Sequence, residues 1–270
     1  MVSGKKSNAF LAISTIVLFM IMANPAIADL SDGLVAYYPF NGSANDESGY
    51  SDDGIVYGAT LTIDRFGNSD SAYSFDGLDD YIDAGDSTSS LFDSWDSFTL
   101  AAWVKPSESS TYECIVGRHD DRKPTFNYGL FIGTKYTVAI VADQAYVDSI
   151  SAISTTILED NTWYHAVGVY DDKNMKLYVN GIVEGGAVFP VGGEGDPLAH
   201  LYIGNTGFWA HYPDNRYFDG VIDDVRIYDR ALSDSEVYDL YVVPLPGALL
   251  LGCIGLSLAG WKLQRRKEFF

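Results

Sequence analysis

The fold is decided by the stretch Ser97-Phe-Thr-Leu-Ala-Ala-Trp-Val-Lys105. Its side chains alternate in character, so an extended chain places four apolar ones together on one face: Phe98, Leu100, Ala102 and Val104. A period of two is typical of a β-strand with one face in a core, whereas an amphipathic helix needs a period of 3.6. The stretch therefore predicts a half-buried strand.

The chain beyond this strand follows the same period of two. Residues 163–170 and 175–179 alternate in the same way, and the segment Asp-Asp-Lys-Asn at 171–174 joins them as a hairpin. The pair Asn180-Gly181 comes next and favours a tight type I′ turn. Many short strands without a long amphipathic helix predict an all-β fold, an antiparallel sandwich of the jelly-roll kind.

One short helix is predicted near the end of this region. Ser233 and Glu236 have the spacing of a capping box, in which each residue bonds the backbone of the other. Val237, Leu240 and Tyr241 follow at helical spacing. We expect this helix to close the domain.

A series of motifs runs in order from residue 33 to residue 233. They include Gly33-Leu-Val-Ala-Tyr-Tyr-Pro-Phe-Asn-Gly42, Arg65-Phe-Gly67, Ser74-Phe-Asp-Gly77, Leu177-Tyr-Val-Asn-Gly181 and Phe218-Asp-Gly-Val-Ile-Asp-Asp-Val-Arg-Ile-Tyr-Asp-Arg-Ala-Leu-Ser233. The series resembles the concanavalin A-like, laminin-G-type jelly rolls. This resemblance implies the fold, but sandwiches of this kind host binding modules, adhesins and hydrolases alike.

The first 28 residues have the order of a secretory signal peptide. Lys5 and Lys6 precede an apolar run from Phe10 to Met22, and the small-residue triplet Ala26-Ile-Ala28 ends the segment. The apolar run has about 13 residues, fewer than the ~20 that span a membrane, so cleavage is favoured over an uncleaved anchor. We expect signal peptidase to cut after Ala28 and the protein to be exported.

Residues 244–270 predict a membrane segment at the other end. An apolar span at about 245–261 follows Pro244 and overlaps Pro246, and the Lys and Arg residues behind it favour a cytoplasmic end with the upstream chain outside. The order Val-Pro-Leu-Pro-Gly, apolar span, basic end resembles the PEP-CTERM sorting signal, although Leu245 stands where that signal usually has Glu. The resemblance implies processing near the prolines by an exosortase-like transpeptidase. A plain single-pass anchor is the alternative.

The region between these two ends, residues 29–243, has the length of one jelly-roll domain. It holds 11 of the 17 Lys and Arg residues and 36 of the 37 Asp and Glu residues. Such a surface repels nucleic acid and anionic lipid, which excludes both as partners, and it suits divalent cations. The region contains a single cysteine, Cys114, so no disulfide stabilises it from within.

The sequence does not favour catalysis. Jelly-roll glucanases place two carboxylates ~5–5.5 Å apart for a retaining reaction, or farther apart for an inverting one. Those enzymes supply the pair from a Glu-x-Asp-x-x-Glu run, and no such run occurs in this chain. The sequence also lacks a Ser/His/Asp context, a His-Glu-x-x-His motif and a phosphate-binding loop. We therefore expect no catalytic residues.

Two aspartates are candidate ligands of a structural Ca²⁺. Asp46 lies in an early loop, and Asp223 has the strand parity of Val221, Val225 and Ile227, which we expect to face the core. A carboxylate among apolar neighbours is destabilising unless it is paired or bound to a metal. The family resemblance implies that such an ion can join the first loops to the final strand. The alternative is that Asp223 caps backbone N–H groups or pairs with an arginine such as Arg65.

An aromatic-rich loop at residues 207–217, before the last strand, is the candidate recognition surface. Aromatic rings can stack on sugar rings while nearby polar groups reach the hydroxyls. The alternative is that the rings pack beneath their own loop. The candidate ligand-binding residues are Trp209, His211, Tyr212, Asp214, Asn215 and Tyr217.

Together these features predict an exported, surface-attached and non-catalytic module that binds extracellular polysaccharide or another matrix glycan. The main alternative is a structural envelope or biofilm matrix protein without a discrete ligand site. A glycoside hydrolase or lyase is the third hypothesis.

Overall fold

The computed structural model describes residues 29–85, 97–107, 112–119, 126–133, 137–142, 150–188, 199–205 and 217–242. Strands dominate these ranges, and one α-helix, α1, spans Asp234–Val242. The strands form two sheets, which we call sheet A and sheet B. All strand pairs in both sheets are antiparallel, so the predicted antiparallel sandwich is confirmed.

Sheet A contains the long central strands. Its members are β1 Leu34–Tyr38, β3 Thr60–Thr62, β4 Ala72–Asp76, β6 Ser97–Pro106, β11 Tyr164–Asp171, β12 Asn174–Val179, β13 Ile182–Val188 and β15 Asp219–Tyr228. They are arranged in the order β13-β12-β11-β6-β15-β4-β3, and β1 pairs with the second half of β15.

Sheet B faces sheet A across the core. Its members are β2 Ile55–Tyr57, β5 Tyr81–Asp83, β7 Glu113–His119, β8 Phe126–Gly133, β9 Thr137–Ala142, β10 Ile150–Ile153 and β14 His200–Ile203. Their order is β10-β9-β8-β7-β14-β5-β2. Chain neighbours such as β4 and β5, or β14 and β15, therefore lie in opposite sheets.

The core between the sheets confirms the alternation predicted for β6. Its four predicted core residues are at most 5% exposed and pack with buried side chains of sheet B. Burial of such aliphatic and aromatic side chains stabilises the fold by roughly 1.5–3 kcal/mol each. A second cluster lies on the outer face of sheet A, where Val237 and Leu240 of α1 cover Ala101, Val167 and Tyr228.

Both predicted turns of the β11–β13 region are present. Asp171 pairs with Asn174, so the two turn residues are Asp172 and Lys173, each with a positive φ. Asn180 and Gly181 have φ values of 52° and 75°, as a type I′ turn requires.

A bulge in β15 overturns one prediction. Asp223 lies opposite Trp103 and Arg226 lies opposite Ala101, so β15 contains one more residue than β6 in this interval. Asp224 has a φ of 55° at this point. Ile222 and Val225 consequently both face the core, whereas Asp223 faces the outer side of sheet A. The prediction that Asp223 shares the parity of Val225 is wrong, because a bulge reverses strand alternation.

The predicted capping box of α1 is confirmed. The Ser233 N–H donates to the Glu236 carboxylate at 2.7 Å, and the Glu236 N–H donates to the Ser233 hydroxyl at 3.3 Å. The hydrogen bond from Arg230, at 2.7 Å, is the main cause that lowers the pKa of Glu236 to about 2.

No helix in the ranges that the structure describes is long and apolar enough to cross a membrane. The predicted signal peptide, residues 1–28, and the predicted span at about 245–261 lie outside those ranges.

Candidate functional site

A continuous row of aromatic rings crosses the outer face of sheet B. The rings come from the neighbouring strands β2, β5 and β14. In each strand the adjacent residue, Val56, Ile82 or Leu201, packs into the core, so strand alternation turns the rings outward. We call this row the aromatic ladder; it consists of Tyr57, Tyr81, Tyr202 and His200.

The rings of the aromatic ladder contact one another in sequence. Tyr57 stacks on Tyr81 with centroids 4.6 Å apart, and Tyr81 meets Tyr202 edge-on at 6.1 Å. Tyr202 stacks on His200 at 5.8 Å. Tyr57 is 42% exposed and the His200 side chain 37% exposed, whereas Tyr202 is buried. Both ends of the ladder are therefore accessible to a ligand, and its middle is fixed by packing.

Asp83 places a carboxylate beside the aromatic ladder. It pairs with Tyr202 across the strands, and its Oδ1 accepts the Gly85 N–H at 2.9 Å and lies 3.2 Å from His200 Nδ1. Within the described ranges its Oδ2 makes no hydrogen bond, and the side chain is 20% exposed. A free acceptor next to an exposed ring has the chemistry that sugar hydroxyls and sugar faces require.

A charged cluster lies on the opposite side of the molecule, on the outer face of sheet A. Arg65 donates to both Asp223 and Asp224, and its guanidinium lies 4.7 Å from the centre of the Trp103 ring. Arg226 also donates to Asp224, at 3.1 Å. The pair between Arg65 and Asp223 is the alternative to metal binding that the sequence left open.

The two carboxylates of this cluster titrate differently. Burial and the neighbouring Asp224 carboxylate raise the pKa of Asp223 to about 7. Burial acts in the same direction on Asp224, but Arg226 and Arg65 outweigh it and lower the pKa of that group.

Asp46 is held by a different part of the chain. Its Oδ1 accepts the N–H groups of Tyr37 and Ser48 at 2.9 Å, and its Oδ2 accepts the Ser48 hydroxyl at 2.7 Å. Tyr37 belongs to β1, whose other edge pairs with β15, so β1 lies between the two predicted calcium ligands. The structure therefore does not bring Asp46 and Asp223 together, and calcium binding stays a prediction.

A group of three carboxylates lies in the turn between β4 and β5. Ligand oxygens of Asp76, Asp79 and Asp80 are within 4.8 Å of one another. Burial and the neighbouring Asp76 carboxylate raise the pKa of Asp80, even though its Oδ2 accepts the Asp76 N–H at 3.0 Å. Oxygen atoms at this spacing have the chemistry of ligands for a hard divalent cation.

The predicted recognition loop lies mostly outside the described residues. Trp209, His211, Tyr212, Asp214 and Asn215 belong to the part of the chain that the structure does not describe. Tyr217 is described and is partly buried just before β15. The loop follows β14, the strand that contributes Tyr202 and His200 to the aromatic ladder.

Residues 75–238 match the model of a protein family described as the concanavalin A-like lectin/glucanases superfamily. This chain belongs to that superfamily. The predicted resemblance to laminin-G-type jelly rolls is thereby confirmed at the level of fold, which the superfamily uses for both lectins and glucanases.

Two solved structures are examples of proteins with a similar fold. Domain 4 of AbnA, an extracellular arabinanase of Geobacillus stearothermophilus in complex with arabinotriose, is 19% identical, with a TM-score of 0.60 over 77% of this chain and 98% of that one. The binding domain of botulinum neurotoxin DC in complex with SialylT is 14% identical, with a TM-score of 0.58 over 78% of this chain. The chain spans about half of that neurotoxin domain, 51%.

Sequence reasoning missed the aromatic ladder. The signal was present in three short alternating stretches, Ile55-Val-Tyr57, Tyr81-Ile-Asp83 and His200-Leu-Tyr202. Each stretch puts its aromatic or polar residues on one face, but a single chain does not reveal that β2, β5 and β14 are neighbours in space. The pairing is non-local, so the ladder could be recognised only in the folded protein.

Proposed function

We propose that this protein is an exported, non-catalytic module that binds extracellular polysaccharide through the aromatic ladder. The observation that carries the proposal is the row of four contacting rings with an accessible ring at each end and the Asp83 carboxylate beside it. Sugar rings expose C–H faces that pack on aromatic faces, while their hydroxyls need acceptors such as Asp83 Oδ2.

The binding domains with the same fold support the class of ligand. The arabinanase domain was solved with arabinotriose and the neurotoxin domain with SialylT, so this architecture accommodates glycans in other proteins. Their low identity to this chain means that the specific sugar has to follow from its own residues. The predicted ligand-binding residues of the 207–217 loop belong to the same proposal, because this loop continues from β14.

We propose further that the protein acts at the cell surface or in the extracellular matrix. The predicted signal peptide ending at Ala28 and the predicted sorting signal around Pro244 and Pro246 are the sequence features that support this location. A structural Ca²⁺ remains part of the sequence-based prediction. No Glu-x-Asp-x-x-Glu run is present in the chain, which favours binding over hydrolysis.

The proposal is tested by equilibrium binding to a panel of polysaccharide fragments that includes arabinotriose. We expect Tyr57→Ala to weaken binding of the best fragment about tenfold, which corresponds to ~1.4 kcal/mol. The matched control is Tyr50→Ala, because Tyr50 is 50% exposed but lies in the loop before β2, outside the aromatic ladder. A Trp209→Ala/Tyr212→Ala variant tests the predicted loop in the same assay.

Three other results would contradict the proposal. Equal affinity of the Tyr57→Ala variant and the wild type would show that the aromatic ladder is not part of the binding site. Self-association without binding to any fragment would favour the structural matrix protein, and turnover of a fragment would favour an enzyme.

A further inference from the structure

Exposed apolar and aromatic side chains surround the C-terminal end of α1. Tyr238 is 52% exposed and Val242 38%, and Val183 near the start of β13 is 51% exposed. Val183 pairs with Tyr178, which packs beneath α1, so Val183 lies on the same face of sheet A as the helix. The two elements are adjacent, because a Cβ at Gly181 would lie 3.2 Å from the side chains of Tyr238 and Tyr241. We call Val183, Tyr238 and Val242 the exit patch.

The exit patch is unusual for the surface of this protein. The whole chain has a formal net charge of −20, yet none of the three side chains of the patch is charged. The acidic residues of the first helical turn lie at the other end of α1, where Asp234 binds Lys176 and Glu236 binds Arg230. One acidic residue of α1, Asp239, borders the patch. Clustered exposed apolar groups of this kind mark surfaces that contact a partner or a lipid.

The length of the chain beyond α1 identifies that partner. The helix ends at Val242, and the sequence predicts an apolar membrane span that begins at about Leu245. Three Cα–Cα steps of 3.8 Å cover at most about 11 Å. A membrane that holds the predicted span therefore lies within ~11 Å of Val242, a distance comparable to the depth at which interfacial side chains insert.

We propose that the exit patch lies in the headgroup region of a zwitterionic lipid surface while the predicted span is in the membrane. Tyrosine is favoured at this interface because its ring is apolar and its hydroxyl is hydrated. The aromatic ladder is on the outer face of sheet B, on the opposite side of the sandwich from α1. Docking through the exit patch thus leaves the ladder facing away from the membrane.

This proposal is independent of glycan binding and can be tested without any glycan. The full chain, carrying Cys253→Ser, is reconstituted into phosphatidylcholine vesicles with one added cysteine that bears an environment-sensitive fluorophore. The test position is Val183→Cys and the matched control is Ile55→Cys, which is 59% exposed on the outer face of sheet B. Cys114 is fully buried and is not expected to react.

We expect brominated phosphatidylcholine to quench the fluorophore at position 183 about twofold or more, because interfacial groups insert roughly 5–10 Å into the headgroup boundary. The fluorophore at position 55 is expected to keep its intensity. Equal quenching at both positions, or none at position 183, would overturn the proposal. Failure of the full chain to float with the vesicles would also overturn it, since the predicted span would then not hold the protein at a membrane.

Discussion

Arg65 is the residue on which the outer face of sheet A depends most. It binds Asp223 and Asp224 at once, stacks on Trp103, and its side chain is 10% exposed. Each of these carboxylates would be destabilising at its depth without a cation, because buried charges lose their hydration. Both aspartates belong to the bulge of β15. On one side of this bulge β15 pairs with β4, and on the other side it pairs with β1.

Replacement of Arg65 should therefore be strongly destabilising. We expect Arg65→Met to lower the free energy of unfolding by about 3–5 kcal/mol, since it leaves the buried Asp223 carboxylate unpaired and removes one of the two arginines that bind Asp224. The control is Lys176→Met, because Lys176 is 52% exposed in its pair with Asp234 and such pairs contribute ~1 kcal/mol or less. Urea denaturation measures both variants. If Arg65→Met lowered the free energy of unfolding as little as the control does, this result would contradict the role assigned to Arg65.

The ion pair also bears on the predicted calcium site. The carboxylate of Asp223 is held by Arg65, and that of Asp46 is held by backbone N–H groups and Ser48. We expect any increase in Tm caused by CaCl₂ to be the same in Asp223→Asn as in the wild type. Loss of the calcium response in this variant, measured by differential scanning calorimetry, would instead support the sequence-based prediction.

The elements of this protein differ in how well the sequence predicts them. Strand β6, the turn at Asn180 and Gly181 and the cap of α1 were all predictable, because local alternation and local hydrogen bonds determine them. The orientation of Asp223 was not, since a bulge interrupts the alternation and is fixed by pairing with Trp103 and Ala101. The aromatic ladder depends on strands far apart in the chain, which is why sequence reasoning selected the 207–217 loop instead.

The cap of α1 should produce a pH-dependent contribution to stability. The pKa of Glu236 is lowered from 4.5 to about 2, so its stabilising effect is complete above pH 4.5 and is lost as the pH falls through about 2. We expect Glu236→Gln to lower the free energy of unfolding by about 1–2 kcal/mol at pH 7.

The difference between this variant and the wild type should shrink steadily as the pH is lowered below 4.5. Unfolding by urea at a series of pH values measures that difference. A difference that stays constant down to pH 3 would show that the charge of Glu236 does not stabilise the helix.

At the scale of the whole molecule, the two faces of the sandwich have different surfaces. The outer face of sheet A is covered by α1 and by the Arg65 cluster, and the chain leaves it at Val242. The outer face of sheet B carries the aromatic ladder, whose end ring Tyr57 is accessible. This division agrees with the proposed attachment through one side and the proposed polymer binding on the other.

The most direct test of glycan binding is hydroxyl-radical footprinting of the protein with and without the best-binding polysaccharide fragment. We predict that the fragment protects Tyr57, Tyr81 and His200 from oxidation, while Tyr50 and Tyr238 are oxidised at unchanged rates. Unchanged oxidation of the aromatic ladder at a saturating concentration of the fragment would contradict the proposal that the ladder binds glycan.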